Sequence, residues 1–490
     1  MNRFKTYTFN AVTKTISALI GIFNPDKAMT YRSTRDYYLS YIAATQQGAN
    51  KNWRPKLKSG DAELRKDLKF IIARARDLSR NNSVVSGAIA KICRNVIRNG
   101  LKIKSQIRNK NELNETLNKE IDDIFKTWSK LKICDYYGFD TFYTMQKNVL
   151  RLMYIDGDCF IRKIYDSSFI KLGLPPLRMQ IIESDMIDLT VDGRLKNGNK
   201  AKRGIEFNNK DCVTAYYFYS IHPSEGFPKT VRVPANDIIH IYIKNRPSLS
   251  RGVSSLSSII MDMYDLNEYR RYEMIGAKVA ASFGVFVKSN IPEVIRGQNN
   301  SNNKKLPTYI DAGRIHMLPH GTEIQIASHN RPPSSYKPFV NNSLKFASTG
   351  VGMSYSSFSN DYTDSSYSSE RSATLEERLT YSELQDIIDE KLNAPVWKWF
   401  IECLFLSNII NLPDFFNKKH IYSISYNCLK PGWNWVDPLK DSKAAEIELQ
   451  NKTNTRREIL SAKGIDYDEF LEIIKREQQD FEILEKSNEL

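Results

Sequence analysis

The spacing of apolar residues along the 490-residue chain predicts an α+β fold. Apolar side chains recur at helical spacing from Asp61 to about Tyr154, and again from Glu370 towards the C-terminal end. Between Asp158 and Tyr242 the period changes to two, as in CFIRKIY and DIIHIYI, which indicates strands. A run of strands between helical segments predicts a mixed sheet backed by helices.

The composition indicates a globular protein built from several modules. A chain of 490 residues exceeds the size that one hydrophobic core ordinarily serves, so about two to four modules are expected. Hydrophobic residues make up 41% and aromatic residues 11%, which is enough for a packed interior. The sequence contains no run of about 18 apolar residues and predicts no membrane span. The six cysteines are widely spread, which favours free thiols over disulfides or a zinc site.

Charge is distributed unevenly along the chain. Met1–Lys110 contains 23 Lys and Arg against 6 Asp and Glu, whereas Asp466–Leu490 contains 3 against 9. A basic N-terminal part is typical of contact with polyanions, and an acidic end is typical of a solvated or DNA-repelling segment. The alternative interpretation is that the surface lysines and arginines only keep the chain soluble.

The N-terminal third is predicted to be helical after an extended arm. Residues 1–60 alternate polar and aromatic side chains without a sustained period, as an arm does. Asn81 and Asn82 end the first helix, Ser83 is the predicted N-cap of the second, and Gly100 ends that second helix. The predicted helices are 61–80, 83–99, Glu112–Leu131 and Phe142–Tyr154.

A predicted helix over about 255–282 changes character along its length. Its beginning carries apolar residues at helical spacing, its middle is charged, and its end is rich in small residues. Short β-like pieces follow (GVFVKS, RIHMLP and TEIQIAS), interrupted by the polar run Arg296–Pro307, and a helical stretch returns near Pro338. A helix out, a β excursion and a helix back predict a stem that carries a small outer module.

The polar segment Ser354–Ser369 has no apolar period and precedes a long helix. That helix is predicted to begin at Glu370 and to be kinked or interrupted by Pro395. From about Val436 the chain is again helical, with Gly464 between two pieces. Taken alone, the composition of Ser354–Ser369 fits a disordered surface linker.

The sequence gives no positive sign of catalysis. Asp156-Gly157-Asp158 is followed by apolar residues that supply no further ligands, so a turn between helix and strand is favoured over a metal site. Walker-type phosphate loops, H-E-x-x-H and G-x-S-x-G motifs are absent from the sequence. We therefore predict no catalytic residue, no cofactor and no bound metal.

Seven segments, in order along roughly residues 30–480, carry a resemblance to one known family. They are Ala73–Ile103 (a basic helix pair), Val149–Lys163 (helix, Asp-Gly-Asp turn and strand), Met179–Asp188 and Arg232–Tyr242 (two sheet segments), Arg251–Ala281 (the outgoing stem), Tyr367–Glu377 (Tyr-Ser-Ser-x-Arg before a long helix) and Pro431–Ala444 (a Trp-rich entry to the C-terminal helices). Together they resemble the portal proteins of lambda-type tailed bacteriophages. Their order carries the resemblance, since each motif alone is common.

The resemblance implies a portal fold with an α/β wing, a two-helix stem, a small β-rich clip and a helical C-terminal crown. The implied boundaries are 1–60 for an N-terminal arm, 61–253 for the first part of the wing, 254–283 for the stem helix, 284–334 for the clip, 335–353 for the second stem helix, 354–369 for a tunnel loop, 370–435 for the long helix and return of the wing, and 436–490 for the crown.

The resemblance also implies a function that is mechanical rather than enzymatic. A dodecameric ring would form a channel at one capsid vertex, through which double-stranded DNA is packaged and later ejected. The implied partners are further copies of the chain, the DNA, the terminase large subunit, a head–tail adaptor, and the major capsid protein or a scaffold, with no membrane. The implied location is the virion, and the host bacterial cytoplasm during assembly.

Two other classes of protein compete with this interpretation. The first is a DNA-processing enzyme of a mobile element, a metal-dependent nuclease or recombinase, which only the basic N-terminal third suggests. The second is a bacterial scaffold protein unrelated to phages. A nuclease needs clustered carboxylates for its metal ions, and the sequence shows none at convincing spacing.

Three sets of residues are candidates for the implied roles. A channel loop should offer small hydrogen-bonding groups, because phosphate pairing by Lys or Arg would make moving DNA stick. The channel candidates are Tyr355, Ser357, Asn360, Tyr362, Ser365 and Tyr367. The candidates for subunit contacts are Gly276, Ala277, Ala280, Arg270, Arg271, Arg74 and Arg76, the last two of which have nucleic acid as an alternative partner. The docking candidates in the clip are Arg296, Lys304 and Lys305.

The apolar residues at the start of the stem favour a ring over a monomer. Ile259, Met263 and Leu266 would be exposed on an isolated stem, and small residues near Gly276 suit close approach between helices. We therefore predict a closed homo-oligomeric ring.

Overall fold

Helices and short strands alternate along the chain in the computed structural model, which describes residues 55–109, 112–130, 132–281, 285–289, 322–326, 334–363, 365–433, 438–465 and 467–488, with 19, 24–27, 29 and 52. The chain divides into two units, Met1–Glu63 and Leu64–Leu490. The described elements from the first long helix onward are α1 Gly60–Asn81, α2 Ser83–Ile97, β1 Lys102–Ser105, β2 Arg108–Asn109, β3 Glu112–Leu113, α3 Glu115–Trp128, α4 Phe142–Asp156, β4 Asp158–Tyr165, β5 Leu177–Ile182, β6 Gly193–Arg194, β7 Lys200–Lys202, β8 Ile205–Phe207, β9 Val213–Tyr219, β10 Thr230–Pro234, β11 Ile238–Tyr242, α5 Ile260–Ala281, β12 Val285–Ser289, β13 Thr322–Ile326, α6 Tyr336–Val351, α7 Tyr355–Ser359, α8 Tyr367–Ile388, the π-helical turn Asp389–Asn393, α9 Ala394–Leu406, α10 Phe415–Ile424, β14 Tyr426–Leu429, α11 Pro438–Gln450, α12 Arg456–Ala462 and α13 Tyr467–Asn488. Most of the predicted N-terminal arm lies outside the described residues.

The predicted N-terminal helices are present, with two corrections at their ends. Asn82, not Ser83, is the N-cap of α2, because its side chain accepts hydrogen bonds from the backbone N–H groups of Val84 and Val85 at 3.1 Å. Helix α3 begins at Glu115 rather than Glu112, since the two residues before its N-cap pair as a strand with Arg108–Asn109. Local hydrogen bonds therefore decide where these helices start.

The α+β class is confirmed, but the sheet is not mixed. The strands form a three-stranded sheet, β11-β4-β5, and a five-stranded sheet, β10-β9-β8-β7-β6, besides three two-stranded ladders. Every ladder among the described strands is antiparallel. The prediction of a mixed sheet is wrong because most successive strands are joined by connections too short for a parallel crossover.

The main core joins helices from both ends of the chain. Its centre is a group of aromatic rings whose centroids lie 4.9–6.3 Å from that of Phe125. The group consists of Phe125, Trp128, Phe142, Trp397 and Phe400, and its members are all buried. Trp128 also donates its indole N–H to the carbonyl of Leu177 at 2.8 Å, which satisfies its polar atom. Helices α3, α4 and α9 are thereby fixed against strand β5.

The long helix starts earlier and breaks differently from the prediction. It begins at Tyr367, where the side chains of Ser366 and Ser369 form a capping box. The predicted interruption is the π-helical turn Asp389–Asn393. Pro395 lies two residues beyond it. A proline lacks the N–H and collides with the carbonyl four residues back, so the backbone widens there.

Two helices pack against each other where the sequence predicts a stem. Helix α5 begins at Ile260, after a turn, and α6 runs back along it. Gly350 lies so close to α5 that a Cβ there would stand 2.6 Å from a side-chain carbon of Ile259, and the Tyr269 and Phe339 rings are 5.1 Å apart. Strands β12 and β13 pair antiparallel between the two helices, where GVFVKS and TEIQIAS predict strands. RIHMLP lies outside the described residues.

The residues expected to be exposed on an isolated stem are buried within the subunit. Ile259, Met263 and Leu266 are 2%, 1% and 5% exposed and belong to the main core. Their burial comes from packing against the chain's own α6 and body, so they give no argument for a ring. A different face of α5 is exposed to solvent, as described below.

The C-terminal part is helical, and Gly464 separates α12 from α13 as predicted, with φ +73°. The end of α12 lies close to the segment that follows β14, because a Cβ on Gly432 would stand 1.5 Å from the carbonyl oxygen of Ala462. Among the helices of the described ranges, none combines the length and the hydropathy that a membrane crossing requires.

Candidate functional site

Asp156-Gly157-Asp158 is the turn from α4 to β4, as predicted, and both of its carboxylates are fully buried. Asp156 accepts two hydrogen bonds from Arg76, at 2.6 and 2.8 Å. Asp158 accepts two from Arg251, at 2.5 and 3.0 Å. Each carboxylate therefore lies in a bidentate pair with an arginine that is distant in sequence, and neither is available as a metal ligand.

Arg76 is bound by three acidic side chains of its own subunit. Besides Asp156, its guanidinium contacts Asp185 at 2.9 Å and Glu183 at 3.1 Å. The hydrogen bonds that Arg76 donates to Asp156 raise the pKa of Arg76 above its ordinary value. Arg76 was predicted to contact a neighbouring subunit, and the structure instead accounts for its guanidinium within the chain.

Arg251 is almost completely buried and connects three elements. Its guanidinium donates to the Ser184 carbonyl at 2.9 Å and to the Ser184 hydroxyl at 2.7 Å, in addition to Asp158. His240 Nε2 lies 3.2 Å from Asp158 and donates to it, since a carboxylate can only accept. Burial alone would raise the pKa of Asp158, but Arg251 and His240 hold it well below its usual range. Burial lowers the pKa of His240, so the imidazole is neutral at neutral pH.

Gly157 allows this turn to press against the segment that leads into α5. It has φ +95°, and a Cβ on it would stand 2.4 Å from the carbonyl carbon of Val253. Gly252 is equally tight, because its Cβ would lie 2.0 Å from the Gly157 carbonyl oxygen. We call Arg76, Asp156, Asp158 and Arg251 the buried joint. The buried joint links α1, the turn and the segment that leads into α5. The periodicity of apolar residues in the sequence could not have identified it, because its members lie far apart along the chain.

The predicted subunit-contact residues on the stem lie on the accessible part of α5. Arg270, Arg271 and Ala277 are exposed and Gly276 is half-buried. Ala280 belongs to the helix, but its side chain lies outside the described residues. The sequence reading missed a group of large apolar side chains on the same helix that are 46–64% exposed: Met261, Tyr264, Tyr272, Met274 and Ile275. On α1, Arg74 is also exposed.

The polar segment 354–369 is folded onto the body at its beginning. Phe358 in the short helix α7 is 3% exposed and belongs to the main core. Ser356 donates to Glu370 at 2.9 Å, and Ser354 donates to Glu377 at 2.7 Å. The beginning of the segment is therefore not the disordered surface linker that its composition alone suggests. Of the four aromatic residues in the segment only Phe358 is buried, so there is no apolar period to detect.

Lys91 of α2 holds the other end of α7. Its ammonium donates to the Ser357 carbonyl and to the Asn360 side-chain oxygen, at the C-terminal end of that short helix. Of the six channel candidates, Tyr355 and Ser357 are half-buried, whereas Asn360, Tyr362, Ser365 and Tyr367 are exposed. The tip beyond Asn360 is thus the accessible part of the segment.

The docking candidates and a possible metal site remain to be considered. Arg296, Lys304 and Lys305 lie outside the described residues. Where the structure describes the chain, no group of three or more His, Cys, Asp or Glu side chains is arranged to hold a metal ion.

An exposed apolar face on one helix of a packed pair is the kind of surface that contacts another protein. The chain belongs to the lambda family of phage portal proteins, whose family model matches residues 46–385. Its role is accordingly structural rather than catalytic. It is a component of the phage particle.

Similar proteins carry the same description over nearly the whole chain. A probable portal protein of Halomonas phage phiHAP-1 is 26% identical over 91% of this chain and 87% of its own. Portal protein B of Escherichia phage lambda is 20% identical over 93% of this chain and 91% of its own. A solved chain from the neck of an empty GTA particle is 11% identical and aligns over 82% of this chain and 94% of its own, with a TM-score of 0.47. The family assignment gives no support to a nuclease, a recombinase or an unrelated bacterial scaffold.

Proposed function

We propose that the chain forms a dodecameric ring at one capsid vertex and that the channel of this ring passes double-stranded DNA during packaging and ejection. The match to the portal family over residues 46–385 supports this proposal, because it covers the ranges expected for the first part of the wing (61–253), for both stem helices and for the segment 354–369. The host bacterial cytoplasm is the proposed place of assembly.

The tip of the segment 354–369 is the proposed DNA-contacting part of the channel. Asn360, Tyr362, Ser365 and Tyr367 are exposed there and offer hydrogen-bonding groups. Between Ser354 and Ser369 the sequence has no Lys or Arg, so no fixed cation can pair with a phosphate. Binding through neutralised phosphates grows with each cation, and a loop without cations holds DNA sterically and without sequence preference. Tyr355 and Ser357 would then position the tip rather than contact DNA.

The proposed docking partners are the terminase large subunit and a head–tail adaptor. Both would bind the module 284–334, through Arg296, Lys304 and Lys305, because charged residues in a polar run make contacts that depend little on a core. The major capsid protein or a scaffold would hold the outer part of the ring. Arg74, Arg270 and Arg271 are exposed and remain our candidates for contacts between subunits.

The test of the channel assignment is a deletion confined to the exposed tip. Rings lacking residues 361–365 keep Phe358, the contacts of Lys91 and the Ser366 cap of α8, so the subunit should fold and the ring should close. DNA packaging and DNA retention are then measured separately in assembled particles. We expect packaging to proceed and retention to fall, and normal retention would show that another part of the chain holds the DNA.

A second variant tests the exposed side chains without changing the length of the loop. Replacing Tyr362 and Tyr367 by alanine removes exposed rings without shortening the loop, and it should reproduce part of the retention defect. Negative-stain images of the unmodified protein test the channel itself. A ring without a central hole would show that the proposal of a DNA channel is wrong.

A further inference from the structure

Helix α5 has two apolar faces, and only one of them is covered within the subunit. Met263 and Leu266 face the core, whereas Met261, Tyr264, Tyr272 and Ile275 are 46–64% exposed. At 100° per residue these four exposed side chains fall within one sector of the helix, on the side away from Leu266. These side chains form an exposed apolar stripe with the half-buried Glu268 between Tyr264 and Tyr272, and an exposed apolar surface of this kind marks a protein–protein interface.

The charged side chains near the beginning of this stripe are all acidic. Asp262 and Asp265 are exposed and Glu268 is half-buried, and the sequence has no Lys or Arg between Arg251 and Arg270. The first part of α5 is therefore apolar and acidic on the surface that the subunit leaves open.

The returning helix α6 has the complementary composition. Phe339 and Phe346 are 53% and 75% exposed, Lys345 is exposed next to Phe346, and Lys337 is exposed on another side of the helix. From Tyr336 to Val351 the sequence contains no Asp or Glu. The outer surface of α6 is thus apolar and basic, which fits the acidic stripe of α5 in charge and in character.

The heights of these residues along the stem also correspond. Gly350 contacts Ile259 and Phe339 contacts Tyr269, which fixes the level of α6 relative to α5 within one subunit. Counting from these two contacts, Lys345 and Phe346 lie at about the level of Tyr264 and within about one helical turn of Asp265. Rotation about a ring axis that runs along the stem moves a residue sideways without changing its height.

We infer that the exposed stripe of α5 binds the outer face of α6 of a second copy of this chain, with Tyr264 against Phe346 of the neighbouring copy and Asp265 facing its Lys345. The contact is heterologous, since two different surfaces meet, and repeated heterologous contacts close into a ring. The inference rests on the ring of the proposed function and assigns the surfaces that join its subunits in the stem.

The first experiment uses single cysteines in a Cys212→Ser background, since Cys212 is the exposed cysteine among those described. Tyr264→Cys subunits and Phe346→Cys subunits are mixed, assembled and treated with a short bis-maleimide. We expect covalent dimers in the mixture and none in either variant alone. A Phe227→Cys variant, exposed on the strand connection 220–229, replaces Phe346→Cys as the control and should give none. Dimers in the Tyr264→Cys sample alone would show like faces meeting and would overturn the inference.

The second experiment reverses charges. Asp265→Lys and Lys345→Glu should each raise the protein concentration needed for half-maximal ring formation by at least about tenfold, because like charges then face each other in every contact. The double variant should restore assembly, although Lys345 also lies 5.4 Å from the ring of its own Tyr355. Far-ultraviolet circular dichroism and thermal unfolding should be unchanged, because these side chains are on the surface.

The outcomes distinguish this surface from the function on which it rests. If the unmodified chain forms no ring, the ring and its contact surface are both wrong. If the unmodified chain forms rings and both single charge variants assemble at the same concentration, the ring stands and the assigned surface is wrong.

Discussion

Asp158 and Arg251 form a pair whose side chains are 0% and 1% exposed, in contrast to Arg65 and Asp192, a surface pair whose arginine is 70% exposed. Removing one partner of a buried pair leaves the other charge without compensation, whereas a surface pair contributes little. The turn between α4 and β4 therefore depends on particular side chains far more than its short sequence suggests.

Arg251→Met is expected to lower the free energy of unfolding by about 3–5 kcal/mol, because it strands the Asp158 carboxylate in the interior. Arg65→Met is the control, and its effect should stay within about 1 kcal/mol. Urea unfolding followed by tryptophan fluorescence measures both. Equal effects would mean that the buried joint adds no more than a surface pair does.

Stability should fall on acidification through His240 and Asp158. Burial lowers the pKa of His240, so its contribution is present above the unfolded value of about 6.5 and is lost as the pH falls below it. Arg251 and His240 depress the pKa of Asp158, so its contribution is present above about pH 4 and is lost as the pH falls through the lower folded value. Between about pH 7 and about pH 5, His240→Gln should therefore flatten the dependence of unfolding free energy on pH. An unchanged slope would contradict the neutral buried imidazole.

Gly157→Ala should destabilise the protein by at least about 3 kcal/mol, since its Cβ would stand 2.4 Å from backbone that belongs to the entry of the stem. Gly173 also has a positive φ, +69°, but no atom lies within 4 Å of its would-be Cβ. Gly173→Ala thus reports the cost of conformation alone, about 1–2 kcal/mol. Thermal unfolding of the two variants separates steric contact from backbone preference.

At the scale of elements, the segment 354–369 combines a fixed beginning with an accessible tip. Helix α7 is held by Phe358 in the core, by Glu377 and Glu370 on the long helix, and by Lys91 on α2. The exposed residues begin at Asn360 and continue into the first turn of α8. Contacts with the core, with the long helix and with α2 thus set the position of a loop whose own sequence lacks a period.

Phe358→Ala is expected to cost about 3–5 kcal/mol of unfolding free energy, because it opens a cavity in the main core. Tyr362→Ala, four residues on and 55% exposed, should stay within about 0.5 kcal/mol. Hydrogen exchange should show faster exchange around α7 in the first variant only. Similar stability of both variants would place the ring of Phe358 outside the core.

For the whole molecule, the net charge of +15 is spread over surfaces that partly neutralise each other. Glu469 and Glu472 of the acidic α13 lie 3.5 Å from Lys104 and 3.9 Å from Lys119. Lys104 of the basic N-terminal part is therefore paired within the chain. Family membership, rather than charge, assigns the portal role.

The assembled protein should neither cleave DNA nor hydrolyse ATP with Mg²⁺ or Mn²⁺, because Asp156 and Asp158 are occupied by arginines and the role is structural. Incubation of purified rings with plasmid DNA and with ATP measures this. A metal-dependent cleavage that co-purifies with the chain and disappears in Asp156→Asn would contradict the assignment. A cleavage that persists in that variant would come from a contaminant.

The amino-acid sequence by itself determined the α+β class, most of the helices, the turn at Asp156-Gly157-Asp158 and the family. These follow from local spacing and from the order of motifs, which need no knowledge of distant contacts. Only the tertiary structure decided that Arg76 and Arg251 bury this turn, since they lie 80 and 93 residues from their carboxylates. It also decided which face of α5 enters the core, because a helix with two apolar faces gives no periodic signal for choosing between them.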